Sequence, residues 1–187
     1  CVNCDIEIRS GEVVVLIGES GSGKTTLASI LSGILSKDEG DVLFGEIEIR
    51  GNNATCRKNG IQVVFQDPFS ATNEHLSIAK VVSEPLDILN IGTKQERLEK
   101  AKQALKDVQL PSDDIFIARK CYMLSGGQRQ RVALARSLVM EPKLLIADEI
   151  SSMLDPSTQA NILRLLKGLQ NEKGFAMLYI THDLDLA

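Results

Sequence analysis

The 187-residue sequence contains no apolar run approaching the roughly 20 residues a bilayer-spanning helix needs, and no charged-then-apolar leader opens it. It is therefore expected to be soluble and cytoplasmic. Positive charge is not in surplus either: a net charge of −4 argues against a general nucleic-acid binder, which carries excess base on at least one face. Any anion site has to be local. Histidine is scarce, and neither His75 nor His182 has metal-ligand spacing. Four cysteines contain one Cys-x-x-Cys pair, Cys1 and Cys4, with no second pair to complete a metal site. Reduced, partly buried thiols are expected, with Val2, Cys4, Ile6 and Ile8 alternating like a strand. No repeat, low-complexity tract or linker divides the chain. The missing initial methionine and the abrupt end after Asp183-Leu184-Asp185-Leu186-Ala187 suggest a fragment of a longer protein.

What is present is 43% hydrophobic and 25% charged, ordinary for one globular domain with an inserted subdomain. The most informative stretch is Gly18-Glu19-Ser20-Gly21-Ser22-Gly23-Lys24-Thr25, placed straight after the apolar run Val13–Ile17. Gly-x-x-x-x-Gly-Lys-Thr bends the backbone so that successive N–H groups face phosphate oxygens; Lys24 supplies a mobile positive charge and Thr25 a hydroxyl for Mg²⁺. Leu27, Ile30, Leu31 and Ile34 follow with helical spacing, so the N-terminal dipole of that helix also faces the anion, with Thr26 in its first turn. Nucleoside triphosphate binding is the inference.

Three apolar runs, Val13–Ile17, Leu144–Ala147 and Phe175–Ile180, show little alternation and suit strands buried on both faces of a parallel sheet. Between the last two, Asp155 caps a helix, Pro156 suits its first turn, and Ile162, Leu163, Leu165, Leu166 and Leu169 form one apolar face before Gly174. Strand, crossover helix and strand make a parallel unit. A further patch, Val42–Ile49 and Ile61–Phe65 with a polar break at Gly51-Asn52-Asn53, is expected as an antiparallel edge. From about Asp67 to Leu138 the pattern is helical, with a capping box at Thr93 to Glu96 ahead of Leu98, Ala101, Ala104, Leu105 and Val108. The expected fold is α/β: a P-loop NTPase core over about 1–66 and 139–187, and a helical subdomain inserted at about 67–138.

Two further motifs carry chemistry. Leu144-Leu145-Ile146-Ala147-Asp148-Glu149 looks like a Walker B element, with adjacent carboxylates at the C-terminal end of a buried strand, where ligands of parallel sheets collect. Asp148 would hold Mg²⁺, and Glu149 would polarise the water that attacks the γ-phosphate. Leu124-Ser125-Gly126-Gly127-Gln128 contains a capping box, Ser125-x-x-Gln128, and starts a helix bearing Val132, Ala133, Ala135 and Leu138. Two glycines inside a helix start cost about 1 kcal/mol each, and capping does not require them. Bare N–H groups facing a phosphate would justify them.

Leu124–Gln128, followed by Arg129-Gln130-Arg131-Val132-Ala133-Leu134-Ala135-Arg136, resembles the signature of ATP-binding-cassette (ABC) ATPases. The resemblance spans nearly the whole chain. Gln66 matches the family's Q-loop glutamine and a Mg²⁺ ligand, Ser151–Asp155 the D-loop, and His182 the switch histidine. It implies ATP and Mg²⁺ as ligands, with Glu149, His182, Gln66 and Lys24 in catalysis. It also implies that Ser125, Gly126, Gly127, Gln128 and Asp155 contact ATP held by the phosphate loop of a second ABC subunit, in a head-to-tail homo- or heterodimer. His75 has no counterpart, and Arg129, Arg131 and Arg136 read as the polar face of the signature helix. No nucleic-acid partner is implied.

Gln66-Asp67-Pro68-Phe69-Ser70 and Val82-Ser83-Glu84-Pro85-Leu86 look like the oligopeptide, dipeptide and nickel import branch, in which a membrane permease docks on the helical insert. That places the chain peripherally on the inner face of the cell membrane. The alternative is a permease-free cassette protein, such as a translation factor or enzyme-activating ATPase with tandem cassettes. Three departures stand out: Ile150 replaces the usual proline after Glu149, Thr72-Asn73-Glu74 replaces Leu-Asn-Pro, and the adenine-stacking aromatic would lie before Cys1. Condensin-like cassettes are disfavoured, because the segment from Gln66 to Ser125 is too short for a long coiled coil.

Overall fold

The computed structural model describes residues 4–50, 60–67, 73–150 and 154–183. Cys1, Val2 and Cys56, the Gly51-Asn52-Asn53 break, Pro68-Phe69-Ser70, Thr72 and the D-loop residues Ser151, Ser152 and Met153 lie outside them.

The apolar runs become β1 (Val13–Ile17), β5 (Leu144–Asp148) and β6 (Ala176–Thr181), which join β4 (Ile61–Val64) in one sheet of order β1-β6-β5-β4. All three pairings are parallel. The expected antiparallel edge is smaller than its sequence suggested: among the described residues β2 (Leu43–Phe44) and β3 (Ile47–Glu48) pair only with each other. The run at 61–65 instead supplies β4, parallel to β5, because it is apolar on both faces and can be sandwiched.

Strand periodicity divides the interior into two cores. Leu144 and Ile146 of β5 with Ala176, Leu178 and Ile180 of β6 face one core, which includes Ala28; Leu145, Ala147, Met177 and Tyr179 face the other. β1 departs from the expectation of burial on both faces. Val14 and Leu16 pack into the first core, but Val13, Val15 and Ile17 are exposed, since the helices covering the second face lie over β4, β5 and β6 and not over this edge strand. Cys4 is likewise exposed, and no strand forms over residues 4–9. Cys121 is buried, and burial pushes its thiol pKa up, which keeps it unreactive.

Among the described residues the α-helices are α1 (Lys24–Leu31), α2 (Ile78–Ile88), α3 (Lys94–Asp107), α4 (Asp114–Ile117), α5 (Gly126–Leu138) and α6 (Pro156–Lys173). Their boundaries follow local chemistry. Thr93 and Glu96 form the expected capping box on α3; Asp155 accepts from the Thr158 N–H at 3.0 Å to start α6, and Gly174, at φ 71°, ends it. α6 is the crossover between β5 and β6 and buries Ile162, Leu165, Leu166 and Leu169. Truncating one such fully buried side chain to alanine costs about 2–5 kcal/mol. Helices α2, α3 and α5 pack on one another, and α5 also packs on β4, so the helices between 78 and 138 share a core with one sheet face.

Candidate nucleotide site

Parallel registry sets the site. Ile17 pairs with Thr181, Asp148 with Ile180 and Val64 with Ala147, so the C-terminal ends of β1, β6, β5 and β4 form one edge. Gly18, His182 and Glu149 are the residues just beyond the ends of β1, β6 and β5, and Gln66 follows β4 after Phe65. That edge is where open parallel sheets bind ligands.

The loop Gly18–Gly23 bends through two left-handed glycines, Gly21 at φ 81° and Gly23 at φ 95°, a conformation that side chains oppose. At Gly18 a Cβ would stand 3.0 Å from Ser22 Oγ, crowding the inside of the loop. Glu19, Ser20 and Ser22 are exposed, and the Ser22 N–H donates to Glu19 O at 3.2 Å. Lys24 is folded back under the loop, 8% exposed, with Nζ donating to Gly18 O at 2.7 Å and Glu19 O at 2.9 Å. Among the described α-helices, α1 alone lacks a side-chain cap: Gly23 occupies its N-cap and no acid lies in its first turn. By contrast α2, α3, α5 and α6 each accept a first-turn N–H with a Ser, Thr or Asp side chain. The first-turn amides of α1, with exposed Thr25 and Thr26, are left to an anion.

Asp148 is 1% exposed, and its Oδ1 has no hydrogen-bond partner. Burial is the main cause of its raised pKa, opposed by a hydrogen bond from Thr25 and the charge of Lys24 and reinforced by the charge of Glu149. A buried carboxylate oxygen without a donor, beside a threonine hydroxyl, fits a hard divalent cation. Glu149 follows it in the chain, 3.5 Å from Lys24 Nζ and 3.2 Å from His182 Nδ1. Its backbone is left-handed, φ 47°, and its N–H donates to Ile180 O at 3.0 Å. A non-glycine residue held there stores strain of about 1–3 kcal/mol, which the β5–β6 pairing sustains.

The Ser125–Gln128 turn is a capping box, as its residues alone suggest. Ser125 Oγ accepts from the Gln128 N–H at 3.3 Å, and Gln128 Oε1 accepts from the Ser125 N–H at 3.1 Å. This spares the N–H groups of Gly126 and Gly127. The neighbours of these glycines lie just before and in the first turn of α6: a Cβ at Gly126 would meet Leu154 Cδ2 at 3.7 Å, and one at Gly127 would meet Thr158 Cγ2 at 2.9 Å. Gly127 is therefore required inside the chain, by close helix packing, as well as by any ligand. No sequence signal marks that approach.

The arginines of α5 are not a solvated face. Arg136 pairs with Glu84 of α2 at 2.9 Å, Arg131 reaches the carbonyls of Val108 and Gln109 at 3.5 Å, and Arg129 binds carbonyls of the turn ahead of Ser125. Each ties α5 to another part of the helical block. His75, exposed, lies against the Tyr122 ring at a centroid distance of 6.3 Å. Among the described residues no cluster of three or more His, Cys, Asp or Glu side chains suits a metal ion, and no helix is long and apolar enough to cross a membrane.

A glycine-lined cradle, a lysine beneath it, an uncapped helix and an acidic strand end define a P-loop nucleotide-binding protein. The model of the ABC transporter family matches residues 1–152, and the chain belongs to that family. It is 42% identical over 185 residues to a putative peptide import ATP-binding protein of Brucella ovis, covering 97% of this chain and 58% of that protein. It is 45% identical over 187 residues to the nickel import ATP-binding protein NikE of Escherichia coli, covering 98% and 69%. The chain thus spans less than two thirds of the length of the Brucella relative. Among solved structures, the dimeric post-hydrolysis state of the ATP-binding cassette MJ0796 bound to ADP and Pi superposes with a TM-score of 0.83 at 34% identity, covering 97% of this chain and 79% of that one. The cbiO1 protein of Clostridium perfringens, part of the ABC transporter complex cbiONQ, does so equally, at 0.83 and 34%, covering 97% and 71%.

Proposed function

We propose that this chain is the ATP-binding and ATP-hydrolysing cassette of an ABC importer of the peptide or nickel type. The observation that carries the activity is the convergence of Lys24, Asp148, Glu149 and His182 on one sheet edge beside an uncapped helix start. The importer assignment rests on the names of the relatives and on Glu84 within Val82–Leu86.

Gly18–Thr26 bind the triphosphate through backbone N–H groups, with Lys24 offering its remaining donor to the terminal phosphates. Thr25 and Asp148, with Gln66 at the neighbouring strand end, would hold Mg²⁺, which when bound neutralises phosphate charge. Glu149 accepts a proton from the attacking water, and His182 fixes the carboxylate and faces the same phosphate. Ser125, Gly126, Gly127, Gln128 and Asp155 belong to a half-site that closes over nucleotide on a second cassette, head to tail. What supports this reading is that the side chains nearest Gly126 and Gly127, Leu154 and Thr158, are not phosphate-loop residues. Residues 67–138 act as the helical subdomain that receives a membrane permease, with the chain peripheral on the cytoplasmic face.

The test is MgATP binding and gel filtration of the purified protein and its Lys24→Ala variant. ATP-dependent dimerisation that Lys24→Ala abolishes is expected; binding that survives the substitution unchanged would remove the phosphate loop from the reading.

A further inference from the structure

Away from the nucleotide edge, α6 forms one wall of a second cleft, of about 580 Å³, against the end of α3 and the side of α5. That volume is in the range of small-molecule sites. Its floor is Leu165, Gly168 and Leu169, on one face of α6, and Arg131 of α5 stands opposite.

Gly168 is the residue without an internal explanation. It lies in the interior of an 18-residue helix, where glycine costs about 1 kcal/mol relative to alanine, and it is exposed. A Cβ built there would meet nothing within 4 Å, whereas at Gly127 the same atom runs into Thr158. Packing inside the chain therefore does not call for this glycine. A body lying against the helix backbone from outside would.

The charges around that notch are sorted by end. One turn toward the N-terminus, Arg164 Nη1 donates to Asn161 Oδ1 at 3.3 Å, and the Arg164 side chain makes no other hydrogen bond or ion pair with a described residue. Arg131 reaches two carbonyls only at 3.5 Å, both through Nη1, so its other donors are unused among the described residues. At the opposite end the Glu172 carboxylate has no hydrogen bond or ion pair among the described residues. Its neighbour Lys173 is taken by Asp107 at 2.7 Å, which closes that end of the cleft. Arg164 and Glu172 stand about 12 Å apart along the helix axis. A ligand with an anion at one end and a cation at the other, at that separation, satisfies both. Extended peptide advances about 3.3–3.6 Å per residue, so a free peptide of about three residues spans the distance.

We propose that the α6 cleft is a binding site for short zwitterionic peptides of about three residues. The terminal carboxylate lies between Arg164 and Arg131, the peptide backbone against Gly168, and the terminal amine at Glu172. A guanidinium fork suits a carboxylate in two-point contact. The occupant touches α3, α5 and α6 together, so it joins the crossover helix of the sheet to the helical block. The site uses none of the nucleotide-binding residues, and the proposal is independent of the function proposed above.

The experiment is isothermal titration of the purified full-length protein, without nucleotide, with the peptide Ala-Leu-Ala, its C-terminal amide, its N-acetyl form and the doubly blocked peptide. The free peptide should bind with a Kd of about 1 mM or tighter, and blocking either terminus should weaken it about tenfold. Arg164→Gln should erase the difference between the free peptide and its amide while keeping that between the free and acetylated peptides; Glu172→Gln should do the converse. Gly168→Ala should hold or raise Tm, alanine being the better helix residue, yet weaken the peptide about tenfold. No saturable binding of the free peptide below about 10 mM overturns the proposal, as does a doubly blocked peptide that binds equally well or a Gly168→Ala protein that binds normally. Binding that Lys24→Ala abolishes and Arg164→Gln leaves intact would seat the peptide in the phosphate loop, and overturns it too.

Discussion

Glu149 stands between Lys24 and His182, with one carboxylate oxygen 3.5 Å from Lys24 Nζ and the other 3.2 Å from His182 Nδ1. The left-handed backbone at Glu149 turns the side chain back over the strand ends, and the N–H bond to Ile180 O holds it there. A carboxylate so placed faces the phosphate lysine before any nucleotide arrives.

Glu149→Gln keeps the shape and removes the proton acceptor. Turnover should fall at least about 100-fold, in line with loss of a general base, while MgATP still binds and the protein accumulates as a dimer on gel filtration. Turnover equal to the wild type would show that the base lies elsewhere.

The two signature glycines should separate in a thermal melt without nucleotide. Gly127→Ala places a methyl 2.9 Å from Thr158 Cγ2 and should lower Tm, and Thr158→Ser in the same chain should restore part of the loss. Gly126→Ala meets only ordinary contact with Leu154 and should leave Tm unchanged or slightly raised, since alanine is the better helix residue. Gly126→Ala is then the cleaner probe of dimerisation. Equal melting of the two variants would mean that Thr158 turns aside freely.

Asp155 accepts from Ser157 Oγ at 2.6 Å and from the Thr158 N–H, and these bonds hold its carboxyl well below the usual carboxylate range. The sign follows from the depressed value. Its stabilising contribution is fully present above the unfolded carboxyl pKa of about 4 and fades as pH falls below that toward the folded value. Asp155→Asn keeps a good cap without the charge, so its Tm should match the wild type more closely at pH 3 than at pH 7. A Tm difference independent of pH would be against the ionised cap.

Asp148→Asn should weaken ATP binding in the presence of Mg²⁺ and leave the Mg²⁺-free affinity almost unchanged, which a titration in EDTA would separate. The basis is the buried Oδ1 without a donor beside Thr25. Equal losses with and without the cation would assign Asp148 to packing alone.

Much of the fold is legible because its signals are local. The caps at Thr93, Ser125 and Asp155 need only residues three positions apart, and the crossover β5–α6–β6 is bounded by Asp155, Pro156 and Gly174. Apolar content, however, says which residues are able to be buried and not which are covered. Val13, Val15 and Ile17 are as apolar as Leu145 and Met177, yet the helices lie over only one of the two groups. The strand at Ile61–Val64 has the same ambiguity, since neither parallel nor antiparallel pairing leaves a mark within four residues.

The site shows the same division. Lys24, Asp148 and Glu149 are readable because their spacing to Gly18 and to the strand end is fixed by backbone geometry. The seat of Gly127 on Thr158 and the reach of Arg129 to Tyr122 and Glu74 join distant elements and depend on how α5 is laid down. An arginine destined for buried carbonyls and one destined for water look alike in sequence.

Lys24 already donates to Gly18 O and Glu19 O, so its long side chain has lost its rotational freedom during folding. A lysine fixed only on ligand arrival would forfeit up to about 2 kcal/mol of rotamer entropy at that moment. Here the loss falls on the stability of the folded chain, and nucleotide meets a donor already aimed. Removing the lysine should therefore relax the empty loop as well as weaken binding, and a stiffer or a looser loop would appear in hydrogen exchange at Gly18–Gly23 before any ligand is added.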